Sequence, residues 1–160
     1  MSKPAVLSAA PKFTAPVVGG EYKSGDTITL SKLKGSPVVL YFYPKDDTPG
    51  CTKQACGIRD SWAALKKKAQ VFGISPDPVK SHEKFIKKHE LPFPLIADED
   101  KKIAEAYGVW VEKSLYGRQY MGVERSTFVI DAKGKIAAIF EKVKPEEHAG
   151  LVLQALKSLE

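Results

Sequence analysis

Residues 41–56 of this chain read Tyr41-Phe42-Tyr43-Pro44-Lys45-Asp46-Asp47-Thr48-Pro49-Gly50-Cys51-Thr52-Lys53-Gln54-Ala55-Cys56. The aromatic residues at the start of this stretch end an apolar run that begins at Val38, which is typical of a central strand covered on both faces. Pro44 ends the run, because proline lacks the backbone N–H that a strand interior uses. We therefore predict a buried strand, a short polar connection and then a new element that carries both cysteines.

The residues after the connection predict a long helix. Thr48 has a hydroxyl suited to the N-cap, and Pro49 suits the first helical position. Apolar side chains then recur every three or four residues, as on the core-facing side of a helix. They are Cys51, Ala55, Ile58, Trp62, Leu65 and Ala69. The pattern predicts a helix from about residue 49 to residue 69, with the Cys51 side chain directed toward the core.

Cys51 and Cys56 are the only cysteines of the chain. Cys51 lies near the predicted helix N-terminus, where unpaired N–H groups and the helix dipole favour a thiolate over a thiol. In an ideal helix the Cα atoms of residues five apart are roughly 8.7 Å from each other, whereas a disulfide rarely tolerates more than about 7 Å. Joining the two sulfurs therefore requires the first turns to unwind, and Gly57 is a weak point suited to that.

The remaining pattern predicts an α/β fold in one domain, residues 1–160. A second strand at residues 71–74 completes a βαβ unit, which implies parallel pairing. Further predicted elements are helices at about 77–89 and 98–107, a hairpin of residues 127–130 and 136–140, a last helix opened by Pro145, and an N-terminal hairpin within residues 13–33. Together they predict a central mixed β-sheet flanked by helices, with the hairpin at the N-terminal side.

Composition narrows the class of protein. The 160 residues are 43% hydrophobic, which is enough for one core, and no apolar stretch approaches the roughly 18 residues of a membrane span. The net charge is +6, but the lysines are dispersed and arginine is scarce, so we expect no nucleic-acid binding. Residues 1–16 make a poor signal peptide, and two cysteines that cycle between redox states fit a reducing compartment, so we expect a cytoplasmic protein.

The histidines could supply metal ligands together with the cysteines, but their spacing argues against a site. His82, His89 and His148 are scattered and show neither C-x-x-C nor H-x-x-x-H spacing, so no zinc site is predicted. His82 and His89 fall in a lysine-rich segment and are expected to be solvated. His148 lies on the apolar side of the last predicted helix and is expected to pack as a satisfied buried histidine.

The motif Pro44-x-x-x-Thr48-x-x-Cys51 resembles the signature of the peroxiredoxins, which are thiol peroxidases with a thioredoxin-like fold. The longer stretch at residues 48–56 is similar to the bacterioferritin comigratory protein branch of that family, also called peroxiredoxin Q. Four further segments resemble this branch in the same order, at residues 72–77, 95–100, 107–110 and 125–131. The similarity extends over roughly residues 10–158, almost the whole chain.

The resemblance implies a role for each of five residues. Cys51 would be the peroxidatic cysteine, whose thiolate attacks a peroxide oxygen, and Cys56 would be the resolving cysteine that forms an intramolecular disulfide with it. Thr48 would hydrogen-bond the peroxide, and Pro44 would shield the site from water. Arg125 would be the active-site arginine, a residue type that stays charged and has forked donors able to hold a thiolate and a peroxide oxygen together.

The resemblance also implies the catalytic cycle and the partners. Hydrogen peroxide or organic hydroperoxides would oxidise Cys51 to a sulfenic acid, which condenses with the second thiol. Thioredoxin or a similar dithiol would reduce the disulfide, without metal or organic cofactor, in a monomeric antioxidant enzyme. Some members of the branch carry the resolving cysteine on the next helix. The matching position here is near Ile86, which is not a cysteine.

Two other classes of function remain open from the sequence. A dithiol–disulfide exchange protein could share the fold, but the chain lacks C-x-x-C spacing and has no proline just before the predicted strand at Thr127. A non-catalytic binding or chaperone protein could also retain the fold. Consumption of peroxide in the presence of a reductant separates a peroxidase from both alternatives.

Overall fold

A seven-stranded mixed sheet forms the centre of the computed structural model, which describes residues 3–160. The strands of the chain are β1 Thr14–Val18, β2 Thr27–Thr29, β3 Val38–Phe42, β4 Gln70–Ser75, β5 Leu95–Ala97, β6 Trp110–Leu115, β7 Arg118–Val123, β8 Thr127–Ile130 and β9 Ile136–Phe140. The large sheet has the order β2-β1-β5-β4-β3-β8-β9, and β6 pairs only with β7 in a separate ribbon. Strands β3, β4 and β5 are parallel, and the other neighbours are antiparallel.

The helices pack on the two faces of this sheet. They are α1 Pro49–Asp60, α2 Trp62–Leu65, α3 Val79–His89, α4 Lys102–Ala106 and α5 His148–Lys157, with a short 3₁₀ helix at Leu30–Leu33. No helix within residues 3–160 has both the length and the apolar character needed to cross a membrane. The predicted mixed sheet flanked by helices is confirmed, and so is the N-terminal hairpin, since β1 and β2 pair antiparallel.

Strand β3 lies inside the sheet between β4 and β8, and all five of its residues are buried. Its side chains alternate between two apolar clusters. Leu40 and Phe42 face the cluster that contains α4, whereas Val39 and Tyr41 face the cluster that contains Cys51. From the carboxyl end of β3 the chain passes through Pro44 and a short connection into α1, which starts at Pro49. This places the helix that contains both cysteines over the side of the sheet that Tyr41 faces.

The predicted helix from residue 49 to residue 69 is wrong in extent, because the structure breaks it at Ser61. There the backbone N–H lies 3.2 Å from the carbonyl oxygens of both Gly57 and Ile58, and ψ is 7°. Helix α2 ends at Leu65, and Ala69 lies outside any helix but is still buried. The apolar spacing could not reveal the break, since residues on both sides of it remain on the core side.

Two other boundaries also differ from the prediction. Helix α5 begins at His148 rather than at Pro145, since residues 145–147 form turns. Helix α4 begins at Lys102 rather than near residue 98, because the Asp98 carboxylate accepts the N–H groups of Ile103 and Ala104 at 3.1 and 2.9 Å. Asp98 thus acts as a cap from outside the helix.

The ribbon of β6 and β7 was not predicted from the sequence. Neither strand shows a clear alternation of buried and exposed residues, so the signal for a half-buried strand is absent. The turn between them places Tyr116 and Gly117 at positive φ of 51° and 78°. Apolar side chains are exposed at and near this turn, namely Leu115, Tyr116, Tyr120 and Met121.

Candidate active site

Cys51 is the third residue of α1 and is 2% exposed, as the sequence predicts. Its side chain belongs to the apolar cluster that includes Tyr41, Ala55 and Ile58. The first turn of a helix presents N–H groups that have no carbonyl partner within the helix, and these favour a negative charge. The surrounding cluster has the opposite effect, because burial disfavours a charged sulfur. A thiolate at this position therefore needs a positive partner.

Arg125 supplies that partner from the segment between β7 and β8. Its Nη2 lies 3.4 Å from the Cys51 Sγ, and its carbonyl oxygen accepts the N–H of Val143 at 3.0 Å. Gly50 makes room for the guanidinium, because a Cβ atom at that position would lie 3.1 Å from Nη2. The structure thus brings together two residues that are far apart in the sequence, and it directs a permanent positive charge at the sulfur.

Gln54 holds the guanidinium in place and was missed by the sequence analysis. Its Oε1 accepts a hydrogen bond from Arg125 Nη1 at 2.6 Å, and the side chain is fully buried. Residues three apart lie on the same side of a helix, so Gln54 is a neighbour of Cys51. An uncharged polar residue one turn after the cysteine, beside an apolar stripe, is the signal that could have identified it.

Thr48 and Pro44 lie on the connection between β3 and α1. Thr48 occupies the N-cap position with extended backbone angles, but the predicted capping hydrogen bond is wrong, because the hydroxyl makes no such bond. It instead donates to the carbonyl oxygen of Lys45 at 3.0 Å. A hydroxyl that donates in this way keeps its lone pairs available to accept a hydrogen bond. Pro44 is half-buried at the carboxyl end of β3.

Cys56 is half-buried, lies in the same helix as Cys51, and is not bonded to it. Helix α1 is continuous from Pro49 to Asp60, so the intervening turn is intact. Cysteines five apart on a regular helix are too far from each other for a disulfide. The structure therefore corresponds to the dithiol state, and a bridge between these thiols requires local unwinding.

Two buried rings near Cys51 are electrically neutral. The Tyr41 and His148 ring centroids are 5.2 Å apart, and His148 Nε2 lies 2.7 Å from the Thr127 hydroxyl. Burial, reinforced by the charge of Arg125, lowers the pKa of His148 to about 3. Burial also raises the pKa of Tyr41 well above its ordinary range. His148 is therefore a packed neutral histidine, as expected from its position on the apolar side of α5. The expectation that its polar atoms are satisfied is wrong, because Nδ1 has no hydrogen-bond partner within residues 3–160.

His82 is buried, so the expectation that it is solvated is wrong. Its Nδ1 lies 2.7 Å from Asp46 Oδ2, and its Nε2 lies 3.0 Å from the Ile96 carbonyl oxygen. The lysine-rich composition of α3 describes only the outer side of the helix, while His82 and Phe85 lie on the inner side. His89 is less exposed than expected, because its ring contacts Asp47.

Asp46, Asp77 and His82 place ligand-type atoms within 4.8 Å of one another, a trio that the sequence analysis did not single out. Each of these side chains already has protein partners. Asp77 Oδ2, for example, accepts from the Ser75 hydroxyl at 2.6 Å and from the Asp46 N–H at 2.8 Å. We therefore describe this trio as a hydrogen-bonding network beside the active-site connection and not as a metal centre.

Comparison with known proteins places the chain in one family. Residues 6–139 match the AhpC/TSA family, to which the chain belongs. It is similar to a putative peroxiredoxin bcp of Coxiella burnetii, with 49% identity over 92% of this chain and 95% of the relative. It is also similar to peroxiredoxin Bcp of Bacillus subtilis, with 48% identity over 84% of this chain and 87% of the relative.

Solved structures agree with this placement. A mutant of Xanthomonas campestris peroxiredoxin Q has a TM-score of 0.84 at 37% identity, covering 92% of both chains. BcpB from Mycobacterium tuberculosis has a TM-score of 0.83 at 33% identity, covering 100% of this chain and 99% of the other. The predicted thioredoxin-like fold and the resemblance to the bacterioferritin comigratory branch are confirmed. The protein is thus a thiol peroxidase, which consumes hydroperoxides and draws electrons from a thiol reductant.

The buried His148 predicts a measurable dependence of stability on pH. The unfolded chain binds a proton on this ring below about pH 6.5, whereas the folded protein does not until about pH 3. Acid therefore favours unfolding, and this part of the stability is lost as pH falls from about 6.5 toward 3. Between pH 7 and pH 4 the free energy of unfolding should fall in both proteins. The fall should be smaller in His148→Gln than in the parent, by up to about 3 kcal/mol.

Urea denaturation of both proteins at the two pH values measures this difference. Glutamine can retain the hydrogen bond to Thr127 without titrating. The contributions of carboxylates and other titrating groups to the change in stability cancel when the two proteins are compared. Equal losses of stability in the parent and in His148→Gln would contradict a neutral His148 in the folded state.

Proposed function

We propose that Cys51 is the peroxidatic cysteine of this thiol peroxidase. The observation that carries the proposal is the 3.4 Å contact between Arg125 Nη2 and the Cys51 Sγ at the start of α1. The Cys51 thiolate attacks one peroxide oxygen, and the O–O bond breaks. The other oxygen leaves as hydroxide or alkoxide and is protonated to water or an alcohol. The sulfur is thereby oxidised to a sulfenic acid by two electrons, and the peroxide is reduced by two.

The neighbouring residues lower the barrier to this displacement. Negative charge moves from the sulfur to the departing oxygen, and a fixed guanidinium beside the sulfur stabilises that charge without reorganisation. The Thr48 hydroxyl can accept a hydrogen bond from the peroxide, since it uses its own hydrogen toward Lys45. Pro44 limits the access of water from the β3 side. Gln54 acts through Arg125 and is a positioning residue in this proposal.

Cys56 is proposed as the resolving cysteine. Its thiol condenses with the Cys51 sulfenic acid, which forms the S–S bond and releases water. The first turns of α1 have to unwind for the sulfurs to meet. Gly57, directly after Cys56, makes that opening less costly, because glycine is about 1 kcal/mol less favourable than alanine inside a helix.

A dithiol of the thioredoxin type is the proposed reductant, since it can reduce the disulfide by exchange through a mixed disulfide. Organic hydroperoxides are proposed as substrates alongside hydrogen peroxide. A solved structure of Xanthomonas campestris bacterioferritin comigratory protein, 37% identical, is described in terms of its alkyl peroxide reduction activity.

We further propose a monomeric enzyme that works in the cytoplasm. A reducing compartment keeps the two thiols ready for the next cycle, and the monomer follows from the resemblance to the peroxiredoxin Q branch. Light scattering on the reduced protein tests the assembly. A dimer in solution would overturn the monomer, and the exposed apolar side chains near Tyr116 would then be the first surface to examine.

The two cysteines predict different outcomes when each is replaced. Cys51→Ser should abolish peroxide consumption, because the attacking sulfur is lost. Cys56→Ser should complete one oxidation and then stop, because the sulfenic acid has no partner thiol. A coupled assay with thioredoxin, its reductase and NADPH measures turnover, and mass spectrometry detects the single added oxygen on Cys51. Turnover near that of the parent in Cys51→Ser would overturn the assignment.

Arg125 and Gln54 should behave as one unit. Arg125→Ala should slow oxidation of Cys51 by about 100-fold or more, as expected when a fixed charge beside the reacting atoms is removed. Gln54→Ala should slow it less, because the guanidinium is retained but loses its 2.6 Å hydrogen bond. The double variant should react no more slowly than Arg125→Ala alone. Stopped-flow measurement of the oxidation rate tests this, and additive losses would show that Gln54 does not act through Arg125.

The unwinding step can be tested at Gly57. A Cβ atom there would meet only Ala149 Cβ, at an ordinary 3.9 Å, so Gly57→Ala should fit and stabilise α1 by about 1 kcal/mol. We expect disulfide formation to slow by about fivefold, following the usual relation between barrier and rate. Oxidation of Cys51 to the sulfenic acid should be unaffected, because it takes place in the intact helix.

Gly150→Ala is the matched control for this variant. Gly150 lies in α5, and a Cβ atom there would meet nothing within 4 Å. It should stabilise the protein similarly without changing the rate of disulfide formation. Hydrogen exchange of residues 48–60 in the parent should be faster after oxidation than before. Equal exchange in both redox states, with the disulfide confirmed, would contradict the unwinding.

A further inference from the structure

The connection between β3 and α1 is bound to α3 through the side chain of Asp46. This carboxylate is 4% exposed and accepts three hydrogen bonds. Tyr43 donates its hydroxyl to Oδ1 at 2.5 Å, Ser81 donates its hydroxyl to Oδ2 at 2.8 Å, and the His82 Nδ1 lies 2.7 Å from the same Oδ2. Two of these donors belong to α3. A residue five positions before Cys51 is therefore tied to a helix on another part of the chain.

The second nitrogen of His82 also has a partner. Nε2 lies 3.0 Å from the carbonyl oxygen of Ile96, which can only accept, so Nε2 carries a hydrogen and donates it. Nδ1 faces a carboxylate that already accepts two hydroxyl groups. The His82 ring is therefore oriented at both of its nitrogens, by the Asp46 carboxylate on one side and by the Ile96 carbonyl oxygen on the other.

Stability alone does not account for such a pair. Burial removes the hydration of the carboxylate, and replacing both partners of a buried hydrogen bond by apolar groups of the same shape can be nearly neutral or stabilising. What the pair provides is geometry, because one position of the Asp46 carboxylate satisfies the three donors at once. Tyr43 fixes it to the end of β3, and α3 fixes it from the other side.

The backbone conformation at Asp47 indicates that contacts from outside the connection stabilise it. Its φ of 58° lies in the left-handed region, which is uncommon for a residue other than glycine. Its carboxylate contacts Lys88 Nζ at 2.8 Å and His89 Nε2 at 3.2 Å, at the last turn of α3. The chain therefore turns sharply between Asp46 and Thr48. Residues of α3 bind the carboxylates of both Asp46 and Asp47 at this turn. The direction in which α1 starts depends on this turn.

We propose that Asp46 and His82 are positioning residues that set the reactivity of Cys51 toward peroxide without touching the peroxide. They fix the connection that carries Thr48 and the first turn of α1, and thereby the donors and acceptors around the Cys51 sulfur. The inference rests on the proposed roles of Cys51 and Thr48. It adds that α3, which contributes no reacting atom, determines whether the peroxide site is correctly formed.

Two substitutions of His82 separate its two hydrogen bonds. The side-chain amide nitrogen of asparagine is separated from Cα by the same number of bonds as the Nδ1 atom of histidine. The side-chain amide nitrogen of glutamine is separated from Cα by the same number of bonds as the Nε2 atom of histidine. His82→Asn can therefore retain the donor to Asp46 and lose the bond to Ile96, whereas His82→Gln does the reverse. We expect the glutamine variant to react with hydrogen peroxide about 10- to 100-fold more slowly than the parent, the range expected for misplacement by about 1 Å. The asparagine variant should be slowed severalfold less.

Alkylation of Cys51 by iodoacetamide distinguishes a displaced peroxide site from a general loss of structure. This reaction needs a thiolate but not a formed peroxide site, so it should proceed at the parent rate in His82→Gln, whereas a general loss of structure would expose the buried Cys51 and accelerate it. Tyr107→Phe is the control. It removes one buried hydrogen bond, from the Tyr107 hydroxyl to the Pro11 carbonyl oxygen, on the opposite face of the sheet, and it should leave the peroxide reaction unchanged.

Ser81→Ala is the second test, and it decides the outcome if His82→Gln does not fold. It removes only one donor to Asp46 from a half-buried position, and it should slow the peroxide reaction while alkylation is maintained. Equal slowing in both His82 variants, or slowing no greater than in Tyr107→Phe, would overturn the inference. A failure of the Cys51 assignment is seen separately, because peroxide consumption would then survive in Cys51→Ser.

Discussion

The contact between the Arg125 guanidinium and the Cys51 sulfur is the interaction on which the rest of the site depends. Cys51 is almost completely buried, and an apolar environment disfavours the thiolate that chemistry requires. The start of α1 and the guanidinium 3.4 Å away act against that cost. Gly50 and Gln54 serve the same contact, one by leaving space for the guanidinium and the other by orienting it.

This arrangement places opposite demands on α1. In the proposed cycle the helix is intact when Cys51 meets peroxide, and it opens for the two sulfurs to meet. A helix of twelve residues has little stability of its own and depends on packing. The break at Ser61 separates α1 from α2, which limits how much of the chain an opening has to disturb. A glycine directly after Cys56 further lowers the cost of local opening.

Two buried histidines illustrate how surroundings decide the role of one residue type. His148 faces the Thr127 hydroxyl and lies near Arg125. Burial, together with the positive charge of Arg125, keeps its ring neutral. His82 lies between a carboxylate and a carbonyl oxygen, so both of its nitrogens are engaged and it links α3 to the connection before Cys51. His148 therefore packs as a neutral ring against Tyr41, whereas our inference is that His82 fixes the backbone that leads to Cys51.

Features that depend on neighbours along the chain could be predicted from the sequence alone. The apolar run defines β3, and the start signal and helical spacing place Cys51 inside α1 on its buried side, because these follow from local geometry. The motif also pointed to Arg125, although only through resemblance. The break at Ser61 is a local change of backbone angle that the apolar spacing does not record. The Arg125–Gln54 bond and the burial of His82 depend on tertiary contacts. Their partners lie far along the chain, 71 residues apart for Arg125 and Gln54 and 36 for His82 and Asp46, and no periodic pattern records which distant side chains will meet.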